Sequence, residues 1–287
     1  MMIDEVLVPL DFGPQADRAL PVARALAAQL GAGLAAVVVT GARLDPARDD
    51  DEARRRARRR ACPLDRVVLR TDPDVVDGVL AAARADTTLL CLATRAPGPL
   101  ADLVSPSVGE QVLARAAHPV VAVGPGAAAT PDGVDEIVAC VADDDPRLLD
   151  PLLDAAVAWS NATGAVPHLI RVVTPGDRPT ALAAREALDA AARRLWARGV
   201  PATSALVVDE TTTAGIVRTL GRRPGALAIL ASRGHTGLRL VRLGRVTLDV
   251  VRRSPVPVLV VPAAPVAATA AVGDALGAGQ SRSGSQS

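Results

Sequence analysis

Residues 226–261 read ALAILASRGHTGLRLVRLGRVTLDVVRRSPVPVLVV. An apolar run of strand length leads into a loop carrying Gly234, Gly237 and Gly244; a segment of helical period then ends at a second apolar run, Val258 to Val261, behind Pro257. Strand, loop, helix and strand in that order are one step of a parallel sheet with a crossover helix. The same step occurs earlier at an ungapped offset of 138: Leu92-Ala93-Thr94-Arg95 faces Leu230-Ala231-Ser232-Arg233, and Val108, Val112, Arg115, Pro119 and Val123 face Val246, Val250, Arg253, Pro257 and Val261. The starts of the two copies match at an offset of 131, Ile3-Asp4-Glu5-Val6 against Val134-Asp135-Glu136-Ile137, so the second copy has gained seven residues, placed between its first and third strands.

Working outward, each copy resolves into five β-α steps. Strands are expected near 4–10, 33–39, 65–70, 87–93 and 119–123, then near 135–142, 167–173, 203–208, 226–231 and 257–261. Helices are expected near 15–30, 46–60, 73–85 and 107–117, then near 146–162, 179–198, 212–222 and 246–253. The fold class is therefore α/β, two tandem open parallel five-stranded sheets with flanking helices. Domains are expected at 1–124 and 134–262, with a linker at 125–133 and a small, polar tail at 263–287 that offers little to bury.

Composition limits the function. Aromatics are scarce, Phe12, Trp159 and Trp196 with no Tyr, so base-stacking platforms are absent and the cores rest on Ala, Val and Leu. The 32 basic and 31 acidic residues leave a net charge of +1, which speaks against nucleic acid as partner. Arg54 to Arg60 follow Asp49 to Glu52, an order that suits the two ends of one solvated helix. With no lysine in the chain, a Schiff base and a Walker-type phosphate lysine are excluded. Cys62, Cys91 and Cys140 lack metal-ligand spacing and read as reduced thiols. No apolar span of membrane length or signal peptide is read, so no membrane partner is expected and the expected location is cytoplasmic.

Chemistry in an open parallel sheet sits beyond the carboxyl ends of the strands, where strand order reverses. After the first strand, Asp11 is placed either to accept hydrogen bonds from a ribose or base or to cap the next helix. In the second copy, Asp143, Asp144 and Asp145 stand there; which one corresponds is open, and the cluster is read either as a solvated loop or as a holder of Mg²⁺. After the fourth strand, Gly234 and Gly244 allow a backbone to approach phosphate oxygens, Arg245 and Thr247 add charge and a hydroxyl, and the helix start favours an anion. His235 lies in that loop, while His118 and His168 have no readable catalytic partner; neither a Gly-x-Ser-x-Gly elbow nor a Gly-x-Gly-x-x-Gly turn is present.

On these residues, 1–262 resembles a tandem universal stress protein, whose domains close on Gly-x2-Gly-x9-Gly-Ser/Thr, a helix and Pro-Val-x-Val-Val. Ala231 stands at the first glycine, Gly234 and Gly244 match the next two, and Arg245 replaces the hydroxyl residue. In the first copy Ala93, Ala96 and Pro106 replace all three glycines, and Ser107 survives, followed by Val108-Gly109-Glu110-Gln111. The resemblance implies adenine-nucleotide binding, with ATP as ligand, Mg²⁺ as a possible companion, and Val39 and Val172 beside adenine. It also implies that the last strands of the two copies pair, and it leaves a homodimer open. Pro106 removes a donor in the first copy, so binding is expected mainly in the second, with Gly234, Gly244, Val246 and Thr247 around the phosphates. The expected function is a stress-response regulatory protein; a structural module without nucleotide and a slow ATP hydrolase are the alternatives.

Overall fold

Local chemistry sets the ends of several elements. In the first copy the elements are β1 (Glu5–Pro9), α1 (Ala16–Leu30), β2 (Gly33–Thr40), β3 (Arg66–Thr71), α2 (Val75–Ala82), β4 (Thr88–Ala93), α3 (Val108–Arg115) and β5 (Val120–Val123). The second has β6 (Glu136–Cys140), α4 (Pro146–Thr163), β7 (Val166–Val173), α5 (Arg178–Ala197), β8 (Thr203–Val208), α6 (Thr212–Leu220), β9 (Ala226–Ser232), α7 (Arg245–Arg253) and β10 (Val258–Pro262). Asp74 caps α2 through Val76 N and Asp77 N, and Thr211 caps α6 through Ala214 N. Asp145 caps α4 with Pro146 at its first position, and Gly164, at φ +75°, closes it in the left-handed conformation.

The computed structural model describes residues 3–11, 16–40, 51, 55, 64–83, 87–95, 107–128, 133–142, 145–176, 178–232 and 243–263. The helix expected over 46–60 falls almost wholly outside them; Asp51 and Arg55 are helical. Residues 129–132 of the expected linker and 264–287 of the expected tail also lie outside.

The two five-stranded halves form one continuous sheet in the order β3-β2-β1-β4-β5-β10-β9-β6-β7-β8. All pairs within a half are parallel, and the halves join by the antiparallel pair β5–β10, with Val258 opposite Ala122 and Leu259 opposite Val121. The implied pairing of last strands is therefore what the structure shows, and it removes two apolar edges at once. Both faces of the sheet are covered, which is why the strands read as nearly continuous apolar runs. On one face, α1, α4 and α5 pack over Val6, Val8, Val121, Ile137 and Leu259; on the other, α2, α3, α6 and α7 pack over Leu7, Ala35, Val120, Val138 and Val258.

Hydrogen bonds at strand ends align the copies more finely than residue identity. Leu10 N donates to Val37 O as Val141 N donates to Ile170 O, and Asp72 N to Thr40 O as Asp209 N to Val173 O. The offset is thus 131 at the first strand, 133 at the second and 137 after the third. The expectation that all seven extra residues precede the third strand is corrected: six do, and the last lies in the helix that follows, since α6 has nine residues where α2 has eight. The third strands share too few identical side chains for the sequence to show this.

Candidate functional site

Strand order reverses between β1 and β4 in the first copy and between β6 and β9 in the second, so each half has one crevice at the carboxyl ends of those strands. In the first copy this crevice is an open cleft of about 380 Å³. Four of the residues singled out from sequence meet there: Asp11 after β1, Val39 at the end of β2, and Ser107 and Val108 at the start of α3. Leu92, Val75 and Val79 add an apolar wall, and Arg95 stands exposed at the end of β4.

Two glycines that sequence reading passed over shape both crevices. A Cβ on Gly78 would come within 2.6 Å of Val39 Cγ1, and one on Gly215 within 2.8 Å of Val172 Cγ1. Each glycine lies in the helix after the third strand and lets that helix press against the valine placed beside adenine by resemblance. The signal was readable as Asp72 and Gly78 recurring as Asp209 and Gly215, six residues apart in both copies.

The helix starts differ. Ser107 caps α3 by a full capping box: Ser107 Oγ accepts from Glu110 N at 3.3 Å, and Glu110 Oε2 accepts from Ser107 N at 3.1 Å. The other oxygen of Glu110 accepts from Arg252 of α7, at 2.9 Å from Nε and 2.6 Å from Nη2. Glu110 is buried, so a carboxylate and its counterion from the other copy close the start of α3. Ser107-x-x-Glu110 was legible as a box; its partner 142 residues away was not.

The start of α7 is built otherwise. Gly244 is its cap residue, at φ −57° and ψ 140°, with no side-chain capping bond and no acid in the first turn. Leu248 N donates to Gly244 O at 3.0 Å, as a helix requires, while among the described residues no capping side chain competes for the N–H groups ahead of it. Gly244 does not use a glycine-only conformation; what matters is the missing side chain. Thr247 is buried beside it, Val246 is exposed, and the Arg245 side chain is 95% exposed, weakly associated with Asp249 at 3.9 Å. Arg245 therefore does not block the helix start.

The remaining candidates divide. Val172 ends β7 in the position matching Val39. By the strand-end hydrogen bonds, Ala142 is the counterpart of Asp11, which puts Asp143 one residue further on; Asp143, Gly234 and His235 lie outside the described residues. Asp145 is committed to the α4 cap and to Arg147, whose hydrogen bonds hold its carboxyl below the usual range. Among the described residues no group of three or more His, Cys, Asp or Glu is placed to hold a metal. Cys91 and Cys140 are buried, and burial pushes both thiols up to about 12.

A wider depression of about 600 Å³ lies at the opposite, amino end of the second copy's strands, lined by Asp135, His168, Arg222 and the Glu136–Arg223 pair. His168 Nδ1 lies 2.7 Å from Thr203 Oγ1. Among the described residues no helix start faces it as one faces each crevice, and charges of both signs line it.

The universal stress protein family model matches residues 2–124 and again 137–262. Among solved structures, a universal stress protein from Archaeoglobus fulgidus DSM 4304 is 20% identical, with 90% of this chain and 98% of that chain covered at a TM-score of 0.61. A protein of unknown function from Pseudomonas aeruginosa PAO1 is 17% identical, with 91% and 93% covered at the same TM-score. No curated protein matches the chain. Among the described residues no helix is long and apolar enough to cross a membrane.

Proposed function

Because the chain belongs to the universal stress protein family, we propose that it is a cytoplasmic stress-response regulatory protein that binds ATP in its second copy. The observation that carries the assignment to that copy is the uncapped start of α7. Among the described residues, no capping side chain or first-turn acid meets its first-turn N–H groups, and the positive end of the helix dipole favours an anion there. In the first copy, Glu110 already supplies the negative charge. Adenine would lie beside Val172, which the helix carrying Gly215 holds in place, and phosphate beside Gly244, Val246 and Thr247, with Gly234, His235 and Asp143 as further contacts read from the sequence. Bound nucleotide would supply the signal-dependent charge; the chain's own part is to hold and orient it.

Gly244→Asp tests this. Its backbone angles suit a capping Asp, and among the described residues the nearest atom to a Cβ there is Thr247 Oγ1 at 3.9 Å, so the substitution fits. The new carboxylate takes the helix donors and repels phosphate, while the added cap stabilises the fold by about 1 kcal/mol. The expected result is a raised melting temperature together with loss of the ATP isotherm. Retained ATP affinity in this variant would overturn the assignment, and a wild-type isotherm without heat would favour the structural module.

A further inference from the structure

We infer that the outer edge of β8 is the docking surface for a second copy of this chain, the two β8 strands pairing antiparallel about a twofold axis at Ala205. The β5–β10 ladder uses both last strands, which leaves β3 and β8 as the outermost strands of the sheet.

The outward groups of β8 follow from its register. It pairs in parallel with β7, Thr203 opposite His168 and Val208 opposite Val173, and Asp209 N donates to Val173 O. Parallel pairing turns alternate residues to the neighbouring strand, so Thr203, Ala205 and Val207 bond to β7 while Ser204, Leu206 and Val208 present N–H and C=O outward. Val208 O is taken by Arg218 Nη2 at 2.8 Å; among the described residues the backbone groups of Ser204 and Leu206 have no partner on that side. An antiparallel copy centred on Ala205 uses just these groups. Ser204 of each chain exchanges both bonds with Leu206 of the other, and the two Ala205 residues meet at the close, non-hydrogen-bonded spacing that a methyl side chain suits.

The surroundings fit a like partner. Charged side chains guard an edge against pairing; β3 carries Arg66 and Arg70, and β8 carries none. Among the described residues the large apolar side chains more than half exposed are Val166, Leu182, Trp196 and Val208, all on β7, α5 and β8 at the outer end of the second copy. Trp196 Nε1 donates to Ala202 O at 3.1 Å, which fixes the indole beside the start of β8. Charges on α5 are paired, Arg185 with Asp189 and Arg194 with Asp150, so an identical surface meets no field of its own sign. The twofold contact also closes, whereas β8 docking on β3 of another copy would be head to tail and leave an edge free for further growth.

Sedimentation velocity of the full chain at micromolar concentration should give the mass of two chains. Ser204→Pro removes an outward N–H without touching the β7 ladder, a place where an edge strand accepts proline, and should give one chain. Ser204→Ala, which loses only the hydroxyl bond to Asp189, should stay paired. In a Cys62→Ser background, with Cys91 and Cys140 buried, Ala205→Cys should form an intermolecular disulfide on treatment with diamide, and Val208→Cys should not. A wild type of single-chain mass would overturn the dimer; if deletion of 264–287 then yields two chains, the occupant of the edge is the chain's own end. Mass that rises beyond two chains with concentration would overturn the twofold in favour of growth through β3. A folded Ser204→Pro protein of two-chain mass would place the contact elsewhere. Should that variant fail to fold by far-ultraviolet dichroism, the cysteine variants decide, and a cross-link through Val208→Cys rather than Ala205→Cys overturns the pairing.

Discussion

Close contacts at single residues set the shape of each crevice. Gly78 and Gly215 sit where any side chain would strike Val39 or Val172, and the valine cannot retreat because it ends a strand paired to its neighbour. Gly215→Ala should therefore cost about 1–3 kcal/mol by overpacking and weaken ATP binding, read as a lowered urea midpoint and a flattened isotherm. An unchanged midpoint would mean that the helix moves aside freely. His168 gives a pH signature. Its partial burial and the Arg223 guanidinium lower its pKa from the ordinary 6.5, so the folded chain favours the neutral ring while the unfolded chain takes up a proton first. Stability from this group is full above about pH 6.5 and falls as pH drops toward the lower folded value. Urea midpoints between pH 7.5 and 5 should fall less in His168→Gln than in the wild type.

Helix starts are where the copies part company. The step from β4 to α3 and the step from β9 to α7 descend from one pattern, yet one start is capped by its own Ser and Glu and the other is left open by a glycine. Capping contributes about 1 kcal/mol where Ser, Thr, Asp or Asn is replaced by Ala, so Ser107→Ala should lower the stability of the first copy by that order without touching ATP binding in the second. Loss of the ATP isotherm in Ser107→Ala would show that nucleotide sits in the first copy. The capping box was legible in Ser107-Val108-Gly109-Glu110, and the glycine at 244 was legible as well. What the string of residues did not convey was that Gly244 has an ordinary backbone and acts by lacking a side chain, and that Arg245 points into solvent.

At the scale of the whole molecule, the two halves are bound by more than the β5–β10 ladder. Gln29 of α1 donates to Val134 O at 2.8 Å and accepts from Val134 N at 2.7 Å, and Ala128 N donates to Pro255 O at 3.0 Å. Gly124 lies so close to the Val251 carbonyl that a Cβ would overlap it. Arg252 and Glu110 add a largely buried ion pair across the same seam, with side-chain exposures of 23% and 10%. Removing one partner strands a charge, whereas replacing both with apolar residues relieves the desolvation cost. Arg252→Leu alone should destabilise the chain by about 3 kcal/mol, and Glu110→Leu with Arg252→Leu should recover most of it, measured by a double-mutant cycle in urea. Additive losses would mean that the two side chains do not act as a pair.

The sequence by itself determined the duplication, the order of strands and helices and the end of the sheet at which the crevices open. Those follow from periodicity and from short-range chemistry: strands covered on both faces must be apolar throughout, and caps involve residues three or four apart. Tertiary structure alone decided where the extra residues of the second copy enter, that Gly78 and Gly215 press on Val39 and Val172, and that Arg252 reaches Glu110 across the seam. Each of these depends on the packing of helices onto a sheet that joins both copies, and a contact spanning 142 residues leaves no mark in local spacing.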